Sequence, residues 1–242
     1  MTPVLLSIYE GETYARLARV LAYSAAEHCA SWDRRIEAVT IYKPKQLSVE
    51  QRVRQDAAKL LRWVEAVETA PDDTPMLLTD CDMWIRRSLD DVWAKAFDVA
   101  YTQRDKTRTS LPLNAGVIFA RATAPARRFL RAWYERTQPI RRSQFEIQKA
   151  RRLFGACDQA GLAATLASTD TKGVNILTLP CREWNCEDSE WGRFDPKLTR
   201  IVHVKGGLRK VILKEDGVSD QRRAQVAPLV RQWQAVERAA CA

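Results

Sequence analysis

Histidine is almost absent from this chain of 242 residues: His28 and His203 are the only two. The six cysteines (Cys29, Cys81, Cys157, Cys181, Cys186 and Cys241) are scattered, and with so little histidine they cannot assemble a zinc finger. No apolar run approaches the roughly 18 residues that a transmembrane helix requires. The opening MTPVLLSIY lacks the basic segment of a signal peptide and reads as a first strand. Linkers rich in Gly, Ser or Pro, internal repeats and low-complexity tracts are missing as well. These absences leave one α/β-sized domain, expected in the cytoplasm with its thiols free. Cys181 and Cys186 would pair only in an oxidising compartment.

What is present is a chain with 46% hydrophobic residues, enough for a sizeable core, and a net charge of +9 with a pI near 9.4. Such a charge points to an anionic partner and is silent about fold. A phosphate-bearing substrate, a nucleic acid and an anionic membrane surface fit it equally.

Apolar spacing sets the element order. Val4 to Tyr9 reads as a strand, Glu10-Gly11-Glu12 as a turn, and Thr13 to about Cys29 as a helix capped by Thr13. Arg34 to Tyr42 reads as a second strand stopped by Pro44, so the chain opens with a β-α-β unit and a parallel sheet follows. Ser48 to Thr69 is a long helix, with Ser48 and Gln51 as a capping box. Further on come a strand over Met76–Leu78, a short helix from Ser88, strands over 97–102 and 113–120, and a loop at Gln103 to Ser110. A helix from Ala124 continues into a basic region through Arg152, and Cys157 to Leu166 forms a buried helix. Strands at 174–179 and 200–204 precede a C-terminal helix from Ser219 to Ala240. Trp63, Trp93 and Trp133 fall on apolar helix faces and are expected in the core.

The most informative stretch is PMLLTDCDMWIRRSLDDV, residues 75–92. A buried strand ends there in Asp80 and Asp82, and ligands in open α/β sheets bind at the carboxyl ends of strands. Residues two apart on an extended chain point to opposite faces. The two carboxylates therefore share a ligand only if the chain turns between them, or if one of them acts indirectly. Paired carboxylates suit a hard cation whose shell is completed by phosphate oxygens. The plainer reading is a turn or a helix cap.

Several segments, taken in order, carry a resemblance: the opening strand and helix, DAAKLLRWVEAV, MLLTDCDMWI, FDVAYTQRD, LNAGVIFAR, CDQAGLAATL, LPCREWNC and IVHVKGG. Over residues 3 to 210 the chain resembles the nucleotide-diphospho-sugar glycosyltransferases of the GT-A fold. Within these it is most similar to the glycogenin-like and lipopolysaccharide galactosyltransferase-like group. The resemblance implies an α/β fold with a mostly parallel, Rossmann-like sheet flanked by helices, as residues 1–212, and a C-terminal helical tail, 213–242, packed on the same domain. It also implies a divalent metal, Mn²⁺ or Mg²⁺, held by Asp80, Asp82 and His203, the last in a His-x-x-Gly motif with Gly206. One imidazole beside two carboxylates favours Mn²⁺. Lys205, Arg209 and Lys210 follow the histidine, where the family has lysine, proline and tryptophan, so which cation meets the diphosphate stays open.

The same resemblance places Asn114 and Gly116 on the sugar and acceptor side, and Asp158 and Gln159 near the reacting carbon. Lys59 would reach the donor, and Ser7, Tyr9 and Tyr14 would hold the base, most often uracil. A strand start, a helix-terminal acid, a solvated charge and core aromatics are the structural alternatives for these positions. The implied reaction is sugar transfer from a nucleotide-diphosphate donor, UDP by the family pattern. Retention would need no strong base; inversion would call on Asp158.

Between Arg121 and Arg152 ten basic residues face only Glu135 and Glu146. This helical insert suits an anionic acceptor, such as DNA with modified bases or a surface glycan or lipid, or is simply a solvated face. Two rival readings are a non-enzymatic nucleic-acid or anion-binding module and a sugar nucleotidyltransferase. The first leaves the acidic pair unexplained. The second usually has a Gly-rich loop after its first strand, of which Tyr9-Glu10-Gly11-Glu12 is a poor version.

Overall fold

A computed structural model describes residues 1–39, 49–105 and 112–242, and the side chains of all of these except 49–57. The chain runs β1 (Val4–Tyr9), α1 (Gly11–His28), β2 (Asp33–Ala38), α2 (Val49–Thr69), β3 (Pro75–Asp80), β4 (Met83–Ile85), β5 (Val99–Gln103) and β6 (Leu113–Arg121). It continues with α3 (Ala124–Arg141), α4 (Gln144–Phe154), α5 (Cys157–Leu166), β7 (Ile176–Pro180), α6 (Cys181–Trp184), β8 (Ile201–His203), α7 (Gly206–Ile212) and α8 (Asp220–Ala240).

Six strands form the central sheet in the order β2-β1-β3-β6-β5-β7. β1 pairs parallel with β2 and β3, and β5 pairs parallel with β7; β6 is antiparallel to both of its neighbours. The sheet is therefore mostly parallel, with one reversed strand in its middle. Strand alternation sorts the core into two layers. Leu6, Met76, Leu78 and Ile118 pack with Trp63 of α2, Phe129 and Trp133 of α3 and Leu162 of α5. Leu5, Leu77, Val117 and Phe119 face the other way, onto Leu21 and Ala25 of α1 and onto Trp184. A third cluster joins the two-stranded sheet β4-β8 to α1, α7 and α8 through Trp84, Val202, Leu208 and Trp233. The C-terminal helix is tied to α1 by Arg16 Nη2, which donates to Glu237 Oε2 at 2.8 Å.

Local boundaries differ from the sequence reading for identifiable reasons. α1 starts at Gly11 rather than after Thr13: the positive φ of Gly11 (75°) turns the chain straight out of the extended Glu10, and no hydroxyl cap is used. β2 covers Asp33–Ala38 where a strand to Tyr42 was expected; Tyr42, Pro44 and Ser48 lie outside the described residues, as does most of the Gln103–Ser110 run. β7 begins two residues later than expected, at Ile176. The expected continuous helix through Arg152 is two helices, because Ser143 accepts the Glu146 N–H and starts α4 afresh. Residues from Asp90 to Ala94 form a 3-10 turn, so Trp93 is only partly buried, beside Trp32, Phe97 and Phe119.

α3 and α5 pack closely because Gly161 has no side chain. A Cβ there would lie 2.0 Å from Thr137 Oγ1 and 3.3 Å from the Thr137 Cα. Gly161→Val is expected to cost about 1–3 kcal/mol through overpacking. Thermal melting should show a fall of about 2–4 °C for each kcal/mol. An unchanged Tm would mean that the two helices are not held at this distance.

Candidate active site

β3 ends at Asp80 and β4 begins at Met83, so the chain turns through Cys81 and Asp82. β4 pairs antiparallel with β8, placing Met83 opposite His203, and Val204 N–H donates to the Asp82 carbonyl at 2.7 Å. This turn lets two carboxylates that would diverge on a continuous strand converge on one point. Asp80, Asp82 and His203 each present a ligand atom, and all these atoms lie within 4.8 Å of one another. His203 Nε2 stands 3.2 Å from Asp82 Oδ1 and 3.7 Å from Asp80 Oδ2.

A buried hydrogen-bond chain orients that imidazole. The Thr102 hydroxyl donates to the Asn114 carbonyl (3.1 Å) and accepts from Asn185 Nδ2 (2.8 Å). Asn185 Oδ1 therefore faces His203 Nδ1 (3.0 Å), which must be the donor. In the neutral ring the lone pair on Nε2 then points toward the two acids, the arrangement a metal-ligating histidine needs. Two carboxylates and one imidazole nitrogen could hold a divalent cation that accepts mixed O and N ligands.

Space for the triad comes from β6. Its register with β5 slips between Tyr101, opposite Ile118, and Thr102, opposite Asn114, so Ala115 to Val117 bulge out of that ladder. Asn114 Oδ1 accepts the Gly116 N–H (3.0 Å), and Thr79 Oγ1 donates to the Gly116 carbonyl (3.0 Å). A Cβ on Gly116 would meet His203 Cε1 at 2.7 Å and Asp80 Oδ2 at 2.9 Å. The Asn114 Nδ2 group is buried at the cavity wall with no hydrogen-bond partner among the described residues.

Cations answer each acid. Lys59 Nζ bridges Asp80 Oδ1 (2.7 Å) and Asp158 Oδ2 (2.9 Å). Asp158 Oδ1 accepts its neighbour's Gln159 N–H, and the Asp158 carbonyl accepts from Trp133 Nε1. Arg209 reaches Asp82 Oδ2 (3.6 Å) and donates to the Tyr14 hydroxyl (3.1 Å). Asp80 keeps about a quarter of its side-chain surface accessible, toward the cavity it lines. Withdrawal from water pushes its carboxyl up, against the pull of Lys59. For Asp82 withdrawal from water acts the same way, but the His203 ring when it carries a proton on Nε2, with Arg209 and Lys205, outweighs it and the carboxyl lies below its ordinary value. Glu187 forms a second buried centre. Arg104 Nε (2.8 Å), Lys205 Nζ (3.3 Å) and the Ser189 hydroxyl all converge on it.

These groups line one cavity of about 640 Å³. It brings together Tyr9, Tyr14, Lys59, Asp80, Asp82, Asn114, Gly116, Asp158, Gln159, His203, Lys205, Gly206 and Arg209. Ser7 is not among them: it lies two residues short of the end of β1, fully buried. Lys210 is exposed on the outer side of α7 and is also outside the cavity. Sequence reasoning missed Arg104, Glu187 and Asp188, and it took Asn185, with Trp184, for a segment beneath the acceptor site rather than the partner of His203. The acidic run that follows Trp184-Asn185 was the available signal for Glu187 and Asp188, and Asp188 pairs with Arg222 of α8 at 2.9 Å.

No protein-family model matches the sequence, and no curated protein matches it. Solved structures do match, and they define the class of fold: the GT-A fold of glycosyltransferases. A glycosyltransferase involved in glycosylation of the major capsid of PBCV-1 superposes with a TM-score of 0.57 at 11% identity, over 85% of this chain and 96% of that one. The galactosyltransferase LgtC, solved with donor and acceptor sugar analogues, gives 0.52 at 10% identity, over 93% of this chain and all of that one. GlyE of Streptococcus pneumoniae TIGR4 gives 0.52 at 14% identity, over 98% of this chain and 62% of its own.

Glu187 makes a pH prediction. Burial alone would raise its carboxyl, but Lys205 and Arg104 hold it down at about 2, against an ordinary value of 4.5. The ionised form is thus favoured in the folded state. That contribution is full above pH 4.5 and is lost as pH falls toward 2. Glu187→Gln should cost on the order of 3 kcal/mol at neutral pH. In chemical denaturation the gap from the wild type should narrow as pH falls from 4.5 toward 2; a gap independent of pH would contradict the assignment.

Proposed function

We propose that this protein transfers a glycosyl group from a nucleoside-diphosphate sugar, with uridine as the base, to an acceptor nucleophile, using a divalent cation, Mn²⁺ before Mg²⁺. The observation that carries the reading is the convergence of Asp80, Asp82 and the Nε2 of His203 at the floor of a cavity rimmed by Lys59, Lys205 and Arg209. Paired acids alone would repel a diphosphate. A cation held by the triad supplies the charge neutralisation that the departing diphosphate needs.

The chain's own residues divide the remaining work. Arg209, standing between Tyr14 and Asp82, binds the diphosphate in the place of the family lysine; Lys210, outside the cavity, does not. Tyr9, the last residue of β1, and Tyr14, on α1, line the cavity and would hold the base. Asn114, whose Nδ2 has no partner among the described residues, offers a hydrogen bond to a sugar or acceptor hydroxyl. Both carboxylate oxygens of Asp158 already accept hydrogen bonds, from Lys59 and from the Gln159 N–H, so Asp158 holds Lys59 and the donor side rather than taking a proton. That supports a retaining reaction without a strong base. Residues 1–212 are the transferase domain and 213–242 its helical tail. Six free cysteines suit a reducing compartment such as the cytoplasm.

The test is release of nucleoside diphosphate from a panel of nucleotide sugars, with thermal shift read alongside. A ligand bound only to the folded state raises Tm by mass action. A uridine diphosphate shift that needs Mn²⁺ is expected, with Asp82→Ala abolishing both shift and turnover. Loss of a preorganised charge-stabilising contact typically costs 10²–10³-fold. Arg209→Ala should fall by about that much and Lys210→Ala by less than about threefold. Stabilisation by nucleic acid alone, with no nucleotide shift, would sink the reading.

A further inference from the structure

The basic insert divides into two unlike parts. On α3 three arginines are engaged, Arg127 with Asp72 (2.7 Å), Arg131 with Glu68 and Arg136 with Asp170, while Arg128 is exposed with no ion-pair partner among the described residues. α4 is different. Its inner face buries Ile147 and Ala150 and packs Phe154 against the same cluster. Its outer face carries Phe145, Lys149, Arg152 and Leu153, at i, i+4, i+7 and i+8, a single stripe on a helix. Phe145 is 70% exposed and Leu153 44% exposed. They are two of only four large apolar side chains so exposed among the described residues, and Met1, a third, is at the terminus. Arg142, Arg151 and Arg152 have no ion-pair partner among the described residues, and Lys149 has only a long contact, 3.8 Å, to Glu146.

We infer that the outer face of α4 docks on an anionic lipid bilayer. An amphipathic surface with apolar side chains at both ends of a helix and cations between them matches the interfacial region of such a membrane. There apolar groups enter the acyl boundary and lysine and arginine meet acidic headgroups. Nucleic acid is the weaker match. The stripe lies on a convex helix rather than in a groove, and the aliphatic Leu153 has no ring face for a base to stack on. The same helix ends at the cavity: Phe154, Gly155 and Ala156 line it. Gly155, with φ 83°, terminates α4 in the left-handed region and turns the chain toward α5. Docking through α4 thus sets the cavity mouth beside the membrane plane, where an acceptor carried by a lipid would be presented. That consequence rests on the glycosyl-transfer reading; the docking does not.

Sedimentation of the full chain with phosphatidylcholine vesicles, with and without phosphatidylglycerol, tests the docking without any donor. Binding is expected only with phosphatidylglycerol and should weaken as salt rises. Phe145→Asp combined with Leu153→Asp, and separately Lys149→Glu combined with Arg152→Glu, should each reduce it by about tenfold or more with Tm unchanged. All four side chains are exposed, so folding is not at stake. Failure to bind at low salt would overturn the proposal. So would vesicle binding that persists in the Phe145/Leu153 variant, which would assign it to charge elsewhere. Binding of duplex or single-stranded DNA that is lost in both variants, while vesicles are ignored, would replace the lipid surface with nucleic acid. Turnover with a soluble acceptor should be the same in the wild type and the variants, so a failed docking test and a failed transferase reading are told apart.

Discussion

The short antiparallel pairing of β4 with β8 is the constraint on which the site depends. It sets Met83 opposite His203 and ties the Asp82 carbonyl to the Val204 N–H. Without it the turn after Asp80 would be a free loop, and two acids separated by one residue would have no reason to share a ligand with a histidine far along the chain. The pairing is itself held from behind: Trp84 meets Trp233 of α8 edge-on, with ring centroids 6.3 Å apart. The C-terminal helix therefore supports the candidate metal ligands from the outside of the molecule.

Charge is arranged with the same economy. Each buried acid at the cavity faces a named cation: Asp80 and Asp158 share Lys59, Asp82 faces Arg209, and Glu187 holds Arg104 and Lys205. A buried carboxylate is tolerated only when paired and hydrogen-bonded. These pairs satisfy that requirement and keep Lys59, Arg104, Lys205 and Arg209 at the cavity wall. The chain's excess of basic residues is a separate matter, concentrated on exposed surface such as α4.

Much of this was legible in the chain. The apolar runs in VLLSIY and PMLLTD read as strands, and a turn between Asp80 and Asp82 was one of two ways for both acids to serve one ligand, the way the chain takes at Cys81. The small residues of Asn114-Ala115-Gly116 signalled a close approach, which the β6 bulge makes to His203. Other parts depend on contacts that no local pattern records. Asn185 orients His203 only because Thr102 and Asn114 on β5 and β6 complete the hydrogen-bond chain. Glu187 and Arg104, 83 residues apart, meet only in the folded chain. The count of ten basic residues overstated the free charge on the insert, since three arginines of α3 reach acids on other elements. The break at Ser143 was open to reading as a cap, but the run of good helix formers on both sides concealed it.

Direct titration of Mn²⁺, followed by loss of the free-ion electron paramagnetic resonance signal, tests the central claim that Asp80, Asp82 and His203 form one divalent-cation site. The account predicts a single saturable site in the wild type and none in His203→Ala. Asn185→Ala, which leaves every ligand in place but releases the imidazole from its orientation, should weaken binding by about 10–100-fold. A titration unaffected by removal of His203, or a wild type that takes up no Mn²⁺ with or without uridine diphosphate, would contradict it.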